Sequence, residues 1–249
     1  MRVRPTLEDR KRMCQRPNDV VVMHQEWEHL LFLHWEVSPE LLESTLPQGL
    51  HLDTYEGRAF LGIVPFYMNR VRPRFCPTVP GISDFLEMNL RTYVHDDSGC
   101  PGVWFYSLDA NQALAVGLAR RLFRLPYQHA QMTASIDSDG WVHYASRRAW
   151  TGVNSNYIYR GQSPCAQTVE GTLEYFLAER YLLYSQRDGE LFSGRVHHTP
   201  YPISAAQVRQ QDSHLFMLSG FESPQRPADL AHYSKGVKVD VFPLRRHRP

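Results

Sequence analysis

Long apolar runs are missing from this sequence. The longest, such as Leu30 to Leu33 and Val103 to Tyr106, fall far short of the roughly 20 residues that cross a bilayer as a helix, so no membrane is expected as a partner. A surplus of one charge is missing too. The 27 basic and 26 acidic residues leave a net charge of +1, which argues against nucleic acid as a partner, because its binders carry a basic surface. Paired cysteines are absent: Cys14, Cys76, Cys100 and Cys165 form no C-x-x-C motif. A chain this long needs no covalent staples, so they read as free thiols in a reducing compartment. Cys165, in Gly161-Gln162-Ser163-Pro164-Cys165, has no catalytic-thiol spacing around it. Histidines are present but not in ligand spacing. His24 and His29 are five residues apart rather than four, and His197 and His198 would point to opposite faces of a strand. Neither a metal nor a cofactor is expected. The opening MRVRPTLEDRKRM mixes both charges ahead of any apolar stretch and does not read as a secretory signal, so the expected location is cytoplasmic.

What is present is a core. With 249 residues and 43% hydrophobic side chains, the chain can bury enough apolar surface to fold, and disorder is excluded. Most of it reads as strand. Leu30 to Val37 is a β-run, and Ser38-Pro39-Glu40 then supplies an N-cap, a proline at the first helical position and an acidic first turn for a short helix ending before Pro47. Arg58 to Asn69 is a second long β-segment. Val71 to Ile82, with prolines at 73, 77 and 80, is expected to be an extended loop.

Phe85 to His95 carries the most information. At period two, Leu86, Met88, Leu90, Thr92 and Val94 form one face, and Phe85, Glu87, Asn89, Arg91 and Tyr93 form the other. An apolar face with a few placed polar groups is what a ligand cavity uses; an exposed face carrying a Glu/Arg pair fits the same pattern. Val103 to Leu108 follows as a strand, then Asp109 as the expected N-cap of a helix from Asn111 to Arg124 with a buried stripe. Tyr127 to Ile136 and Trp141 to Trp150 flank Asp137-Ser138-Asp139-Gly140, a hairpin signal. After a helix from about Thr168 to Leu177, a second hairpin joins Arg180 to Gln186 and Glu190 to His198, and Val237 to Phe242 is the last expected strand. The fold expected is one α+β domain on a curled, mainly antiparallel sheet, long enough to close as a barrel, with two or three helices outside. It spans residues 20–243, between an N-terminal extension (1–19) and a basic tail (244–249).

Dispersed motifs across about residues 20–243 carry a resemblance. They are Trp27-x-His29-Leu30-Leu31-Phe32-x-His34-Trp35, Leu46-Pro47-x-Gly49-Leu50, Val64-Pro65-Phe66, Val71-Arg72-Pro73-Arg74, Phe85-x-Glu87-x-Asn89-x-Arg91-Thr92-Tyr93-Val94, Gly102-Val103-Trp104-Phe105-x-Ser107-Leu108-Asp109 and Leu125-Pro126-Tyr127, with Arg180-Tyr181-x-Leu183-Tyr184 and His197-His198-x-Pro200 later in the chain. Together they resemble the YqjF-like proteins, the domain of unknown function 2071. The resemblance implies an acetoacetate-decarboxylase-like fold, a curled β-barrel around a buried pocket, with no established activity. In acetoacetate decarboxylases the helix matching Ala110 to Arg124 is followed by a Pro-Lys-Lys segment whose lysine forms a Schiff base with the substrate ketone. Here Pro126 is followed by Tyr127 and Gln128, and the chain's three lysines are Lys11, Lys235 and Lys238. A phenol cannot form an imine, so Schiff-base decarboxylation is not expected. Glu87 is similar to a pocket carboxylate of that superfamily.

Glu87, Asn89 and Arg91 stand about 7 Å apart along one strand face, close enough to meet one small ligand. Tyr127 and His129 share a face of the next strand. The candidate catalytic residues are therefore Glu87, Tyr127 and His129, and the candidate ligand-binding residues Arg72, Asn89, Arg91 and Tyr106. The plainer alternative is a structural network in which Arg91 satisfies Glu87 across the barrel, since buried charges are usually paired. The expected function is the binding of a small apolar, carbonyl or carboxylate metabolite. Proton-transfer catalysis at Glu87 and Tyr127 (enolisation, lactone or keto-acid chemistry) and a non-catalytic sensor or carrier remain alternatives; a protein-interaction scaffold rests only on the proline-rich loop. Whether the chain forms a homo-oligomer is left open.

Overall fold

Alternating apolar residues punctuated by turn residues make strand the dominant state of this chain. In the computed structural model, which describes residues 3–112 and 124–247, fourteen strands join one curled sheet. The elements begin with helix α1 (Leu7–Cys14), β1 (Met23–Val37), helix α2 (Pro39–Glu43), β2 (Leu50–Leu52), β3 (Ala59–Pro73), β4 (Phe85–Asp96) and β5 (Pro101–Ala110). Next come β6 (Tyr127–Ile136), β7 (Val142–Arg148), β8 (Asn154–Gly161), β9 (Ala166–Gln167), helix α3 (Leu173–Ala178), β10 (Leu182–Arg187) and β11 (Glu190–His197). The chain ends with β12 (Pro202–Gln210), helix α4 (His214–Leu218), β13 (Leu230–Val241) and β14 (Arg245–Arg246).

The sheet has one wall and two branches. The wall runs β13-β1-β3-β4-β5, antiparallel throughout. At both ends it forks along a single strand edge. On β5, Val103 and Trp104 pair in parallel with β10, whereas Leu108 to Ala110 pair in parallel with Tyr127 to His129 of β6. On β13, Val241 and Asp240 pair with β11, whereas His232 to Ser234 pair with β12. The branch β10-β11 closes a smaller ring over one face of the wall, and β6-β7-β8-β12 closes a larger ring over the other.

Both faces of the wall are consequently buried, and its alternation sorts side chains into two compartments. Leu31, Leu33 and Trp35 of β1, Leu61 and Ile63 of β3, and Leu86, Met88 and Leu90 of β4 fill the larger ring with Tyr144, Tyr157 and Tyr159. Leu30 and Phe32, Val64, Phe66 and Met68, and Val237, Val239 and Val241 face the smaller one. Each fully buried side chain of this size contributes about 1.5–3 kcal/mol.

Local signals explain the short elements. Ser38 caps α2, its hydroxyl accepting from the Leu41 amide at 3.3 Å, with Pro39 in the first turn. Asp137 closes the β6–β7 hairpin by accepting from the Asp139 and Trp141 amides. Asp109 departs from expectation. It lies inside β5 rather than at a helix N-cap, and its carboxylate is held by buried Arg148 of β7. The expected helix from Asn111 to Arg124 falls mostly on residues 113–123, outside the described residues. β3 runs on to Pro73, so the proline-rich loop begins only there. β8 and β12, unforeseen in the sequence, complete the larger ring. The N-terminal extension folds as α1, capped by Thr6 and Asp9, and the basic tail pairs with β11 through Arg245 and Arg246. No helix among the described residues is long and apolar enough to cross a membrane.

Candidate functional site

The smaller ring is incompletely filled. A cavity of about 110 Å³ lies between the wall and β10-β11, and Glu87, Asn89, Arg91 and Tyr127 are among its lining residues. β4 supplies the first three from one face because every second residue projects to the same side. The opposite face, Leu86, Met88 and Leu90, is committed to the larger compartment. Two irregularities shape the walls. A bulge places Arg91 opposite Phe105 while Leu90 faces Ser107, so Tyr106 has no partner in β4. The parity of β5 therefore switches there, and Val103, Phe105 and Leu108 line the cavity. In β1, His29 adopts a left-handed φ of 51°, and the lining side chains change from Gln25 and Trp27 to Leu30.

Glu87 is 4% exposed and, among the described residues, has no cationic partner. The Tyr127 hydroxyl donates to its Oε2 at 2.7 Å, and the Tyr144 hydroxyl donates to its main-chain oxygen at 2.8 Å. Burial raises the Glu87 carboxyl from 4.5 to about 7, against the lowering effect of Tyr127 and Asn89. The Tyr127 phenol is pushed well above its ordinary value, first by burial and then by the adjacent carboxylate, and so keeps its proton. The Arg91–Glu87 pairing of the plainer alternative does not form. Arg91 instead donates from Nη2 to the Leu177 carbonyl at 3.3 Å and packs its guanidinium over Phe32 at 5.5 Å. The two residues start about 13 Å apart, four positions along one strand, and the Leu177 carbonyl near the end of α3 takes up Arg91 instead. Arg91 Nε and Asn89 Oδ1 are buried without a hydrogen-bond partner among the described residues, although such groups are almost always satisfied.

Three sequence-derived candidates are not among the residues that line this cavity. Tyr106, the bulge residue, packs edge-on against Phe221 at 4.8 Å and shares a 2.6 Å hydrogen bond with Thr45. His129 lies two residues into β6, at the last pair with β5 before β6 turns to β7. Arg72 sits at the outer end of β3, opposite His24. Sequence reasoning missed Arg180, Trp27 and Tyr201, which also line the cavity. Arg180 and Trp27 stand in motifs that carried the family resemblance, and an arginine just after a helix of apolar residues was the available signal. None of the three lysines lines the cavity; Lys235 and Lys238 are exposed on β13, and Lys11 pairs with Glu170. No group of three or more His, Cys, Asp or Glu residues among the described residues could hold a metal ion.

Residues 24–238 match the sequence model of DUF2071, described as an uncharacterized conserved protein. The chain is 35% identical over 230 residues to the uncharacterized protein YqjF of Bacillus subtilis (strain 168), covering 92% of this chain and 94% of that one. Among solved structures, it is similar to the enduracididine biosynthesis enzyme MppR complexed with the condensation product of pyruvate and imidazole 4-carboxaldehyde. That match has a TM-score of 0.64 at 13% identity over 94% of this chain and 90% of that one. It is also similar to acetoacetate decarboxylase from Legionella pneumophila, with a TM-score of 0.61 at 12% identity over 97% and 96% of the two chains. An acetoacetate decarboxylase-like enzyme from Sphingomonas wittichii RW1 gives 0.59 at 10% identity over 92% and 94%. At such identities the likeness establishes the fold, which is acetoacetate-decarboxylase-like.

Proposed function

The chain belongs to the DUF2071 family, and we propose that its cavity binds a small metabolite bearing a carbonyl or carboxylate group. The observation that carries this reading is the set of polar groups left open in a mainly apolar cavity: among the described residues Glu87 has no cationic partner, and Asn89 Oδ1 and Arg91 Nε have no hydrogen-bond partner. Natural cores rarely retain such groups without a ligand or water to satisfy them. Arg91 suits the ligand's carboxylate. Glu87 in its protonated form suits a carbonyl oxygen, as donor. That one solved structure of the enduracididine biosynthesis enzyme MppR contains pyruvate supports the choice of a small keto acid as probe.

A second reading, proton-transfer catalysis, is favoured by the Glu87 carboxyl at about 7, because a group titrating near neutral pH serves as acid and base alike. In that reading ionised Glu87 takes a proton from the carbon beside the ligand carbonyl. The C–H electron pair becomes the enolate, and the proton returns from Glu87 to carbon. Tyr127, protonated throughout, orients the carboxylate.

The test is calorimetric titration with pyruvate, followed by NMR of the pyruvate methyl group in D2O. Binding lost in Arg91→Met is expected. Methyl deuteration that stops in Glu87→Gln selects the catalytic reading, and binding without deuteration selects the sensor or carrier. A wild-type chain that binds neither pyruvate nor acetoacetate refutes the carbonyl and carboxylate assignment.

A further inference from the structure

One cavity arginine is tied to a helix remote in sequence. Asp53, 4% exposed, is gripped by two guanidinium groups. Arg10 of α1 takes both oxygens, Nη1 to Oδ2 at 2.6 Å and Nη2 to Oδ1 at 2.7 Å. Arg180, just beyond α3, reaches only Oδ2, through Nη1 at 2.8 Å. Its Nε donates to the Phe176 carbonyl at 2.7 Å. Its remaining nitrogen, Nη2, is buried without a partner among the described residues, on a side chain that lines the cavity. Both guanidinium groups pack on the Phe176 ring, at 4.8 Å for Arg10 and 4.2 Å for Arg180.

The arrangement is asymmetric in a way that calls for a reason. A lone arginine beside a carboxylate prefers a two-bond fork, and with Nε committed to the Phe176 carbonyl the fork open to Arg180 is the one through both terminal nitrogens. Arg180 is denied that fork because Arg10, forked across the end of the carboxylate, takes the one side from which a guanidinium can bridge both oxygens, and leaves Arg180 a second bond on Oδ2 alone. We infer that Arg10 is a positioning residue: by bridging both oxygens of Asp53 from outside the cavity it holds Arg180 to a single oxygen, keeping Nη2 open for the carboxylate of a bound ligand. The count of charges works the same way. Two guanidinium groups on one carboxylate leave a net positive node at the cavity wall, whereas Arg180 and Asp53 alone would cancel. This inference rests on the carboxylate reading of the cavity proposed above and adds a second anchor to Arg91. It also gives α1, which precedes the residues matched by the family, a part in ligand affinity without any contact with ligand.

The test combines crystal structures with pyruvate titrations of wild type, Arg10→Met and Arg10→Lys, with thermal melts to confirm folding. In Arg10→Met, Arg180 is expected to swing onto both oxygens of Asp53, and pyruvate affinity to fall about tenfold, the worth of one charge-assisted hydrogen bond. Arg10→Lys, which restores the charge and fills one oxygen, is expected to recover part of that affinity. An Arg180 that stays on one oxygen in Arg10→Met overturns the inference whatever the ligand does. Unchanged pyruvate affinity despite the two-oxygen grip also overturns it. A wild-type chain that binds no pyruvate counts instead against the carboxylate reading, and the geometry of Arg180 in the Arg10→Met crystal still decides the role of Arg10.

Discussion

Glu87→Gln should make this protein more stable at alkaline pH and leave it unchanged in acid. The Glu87 carboxyl moves from 4.5 to about 7 on folding, chiefly through burial. A carboxyl raised in this way holds its proton more tightly when folded. Its contribution is therefore neutral below about 4.5 and turns against folding as pH climbs to about 7. At about 1.4 kcal/mol per pH unit, the gap amounts to about 3 kcal/mol at pH 8. Solvent screening scarcely reduces this, since Glu87 is 4% exposed. Glutamine keeps the shape, still offers an oxygen to the Tyr127 hydroxyl and never ionises. For a chain of this size about 3 kcal/mol corresponds to a rise of about 6–12 °C in Tm. Melting curves of wild type and Glu87→Gln between pH 4 and pH 8 measure it, because other titrating groups cancel in the difference. A difference that stays flat across that range would show that Glu87 titrates as an ordinary carboxylate and is compensated by something this structure does not place beside it.

Two other outcomes are expected. Borohydride reduction in the presence of acetoacetate should add no mass to the protein, since no lysine lines the cavity; an adduct on Lys235 or Lys238 would mean that β13 presents an amine to the ligand after all. Asp109→Ala should cost about 3–5 kcal/mol in chemical denaturation, because it strands buried Arg148, whereas a loss below about 1 kcal/mol would show that water reaches the guanidinium.

How far the sequence could be read depended on how local each signal was. The β4 alternation was legible because its two faces differ in chemistry, and the α2 cap because Ser38, Pro39 and Leu41 are near neighbours. Whether the Glu87 face of β4 lines a cavity or meets solvent was not legible, since two branches closing over one wall decide it. Tyr106 was misplaced for want of the bulge, which exists only in the β4–β5 register. Asp109 looked like a cap because its partner, Arg148, lies 39 residues away. Arg180 showed no role because Asp53 lies 127 residues earlier. β8 and β12 escaped because their polar residues, as in Asn154-Ser155-Asn156, mask the inward Tyr157 and Tyr159.

The two-edged pairing of β13 also governs when the cavity can exist. This strand lays Val241 beside Met23 of β1 while supplying the edge that both branches rejoin. A ribosome has therefore emitted every other strand of both rings before either ring can shut. Until Leu230 to Val241 arrive, the nascent protein carries two open apolar troughs and the unpaired edge of a long strand, a combination that invites aggregation. Such distant pairing also makes for slow folding. Truncation a few residues before Leu230 would leave both rings open and no enclosed interior, so the cavity and the cooperative melt should disappear together rather than by degrees.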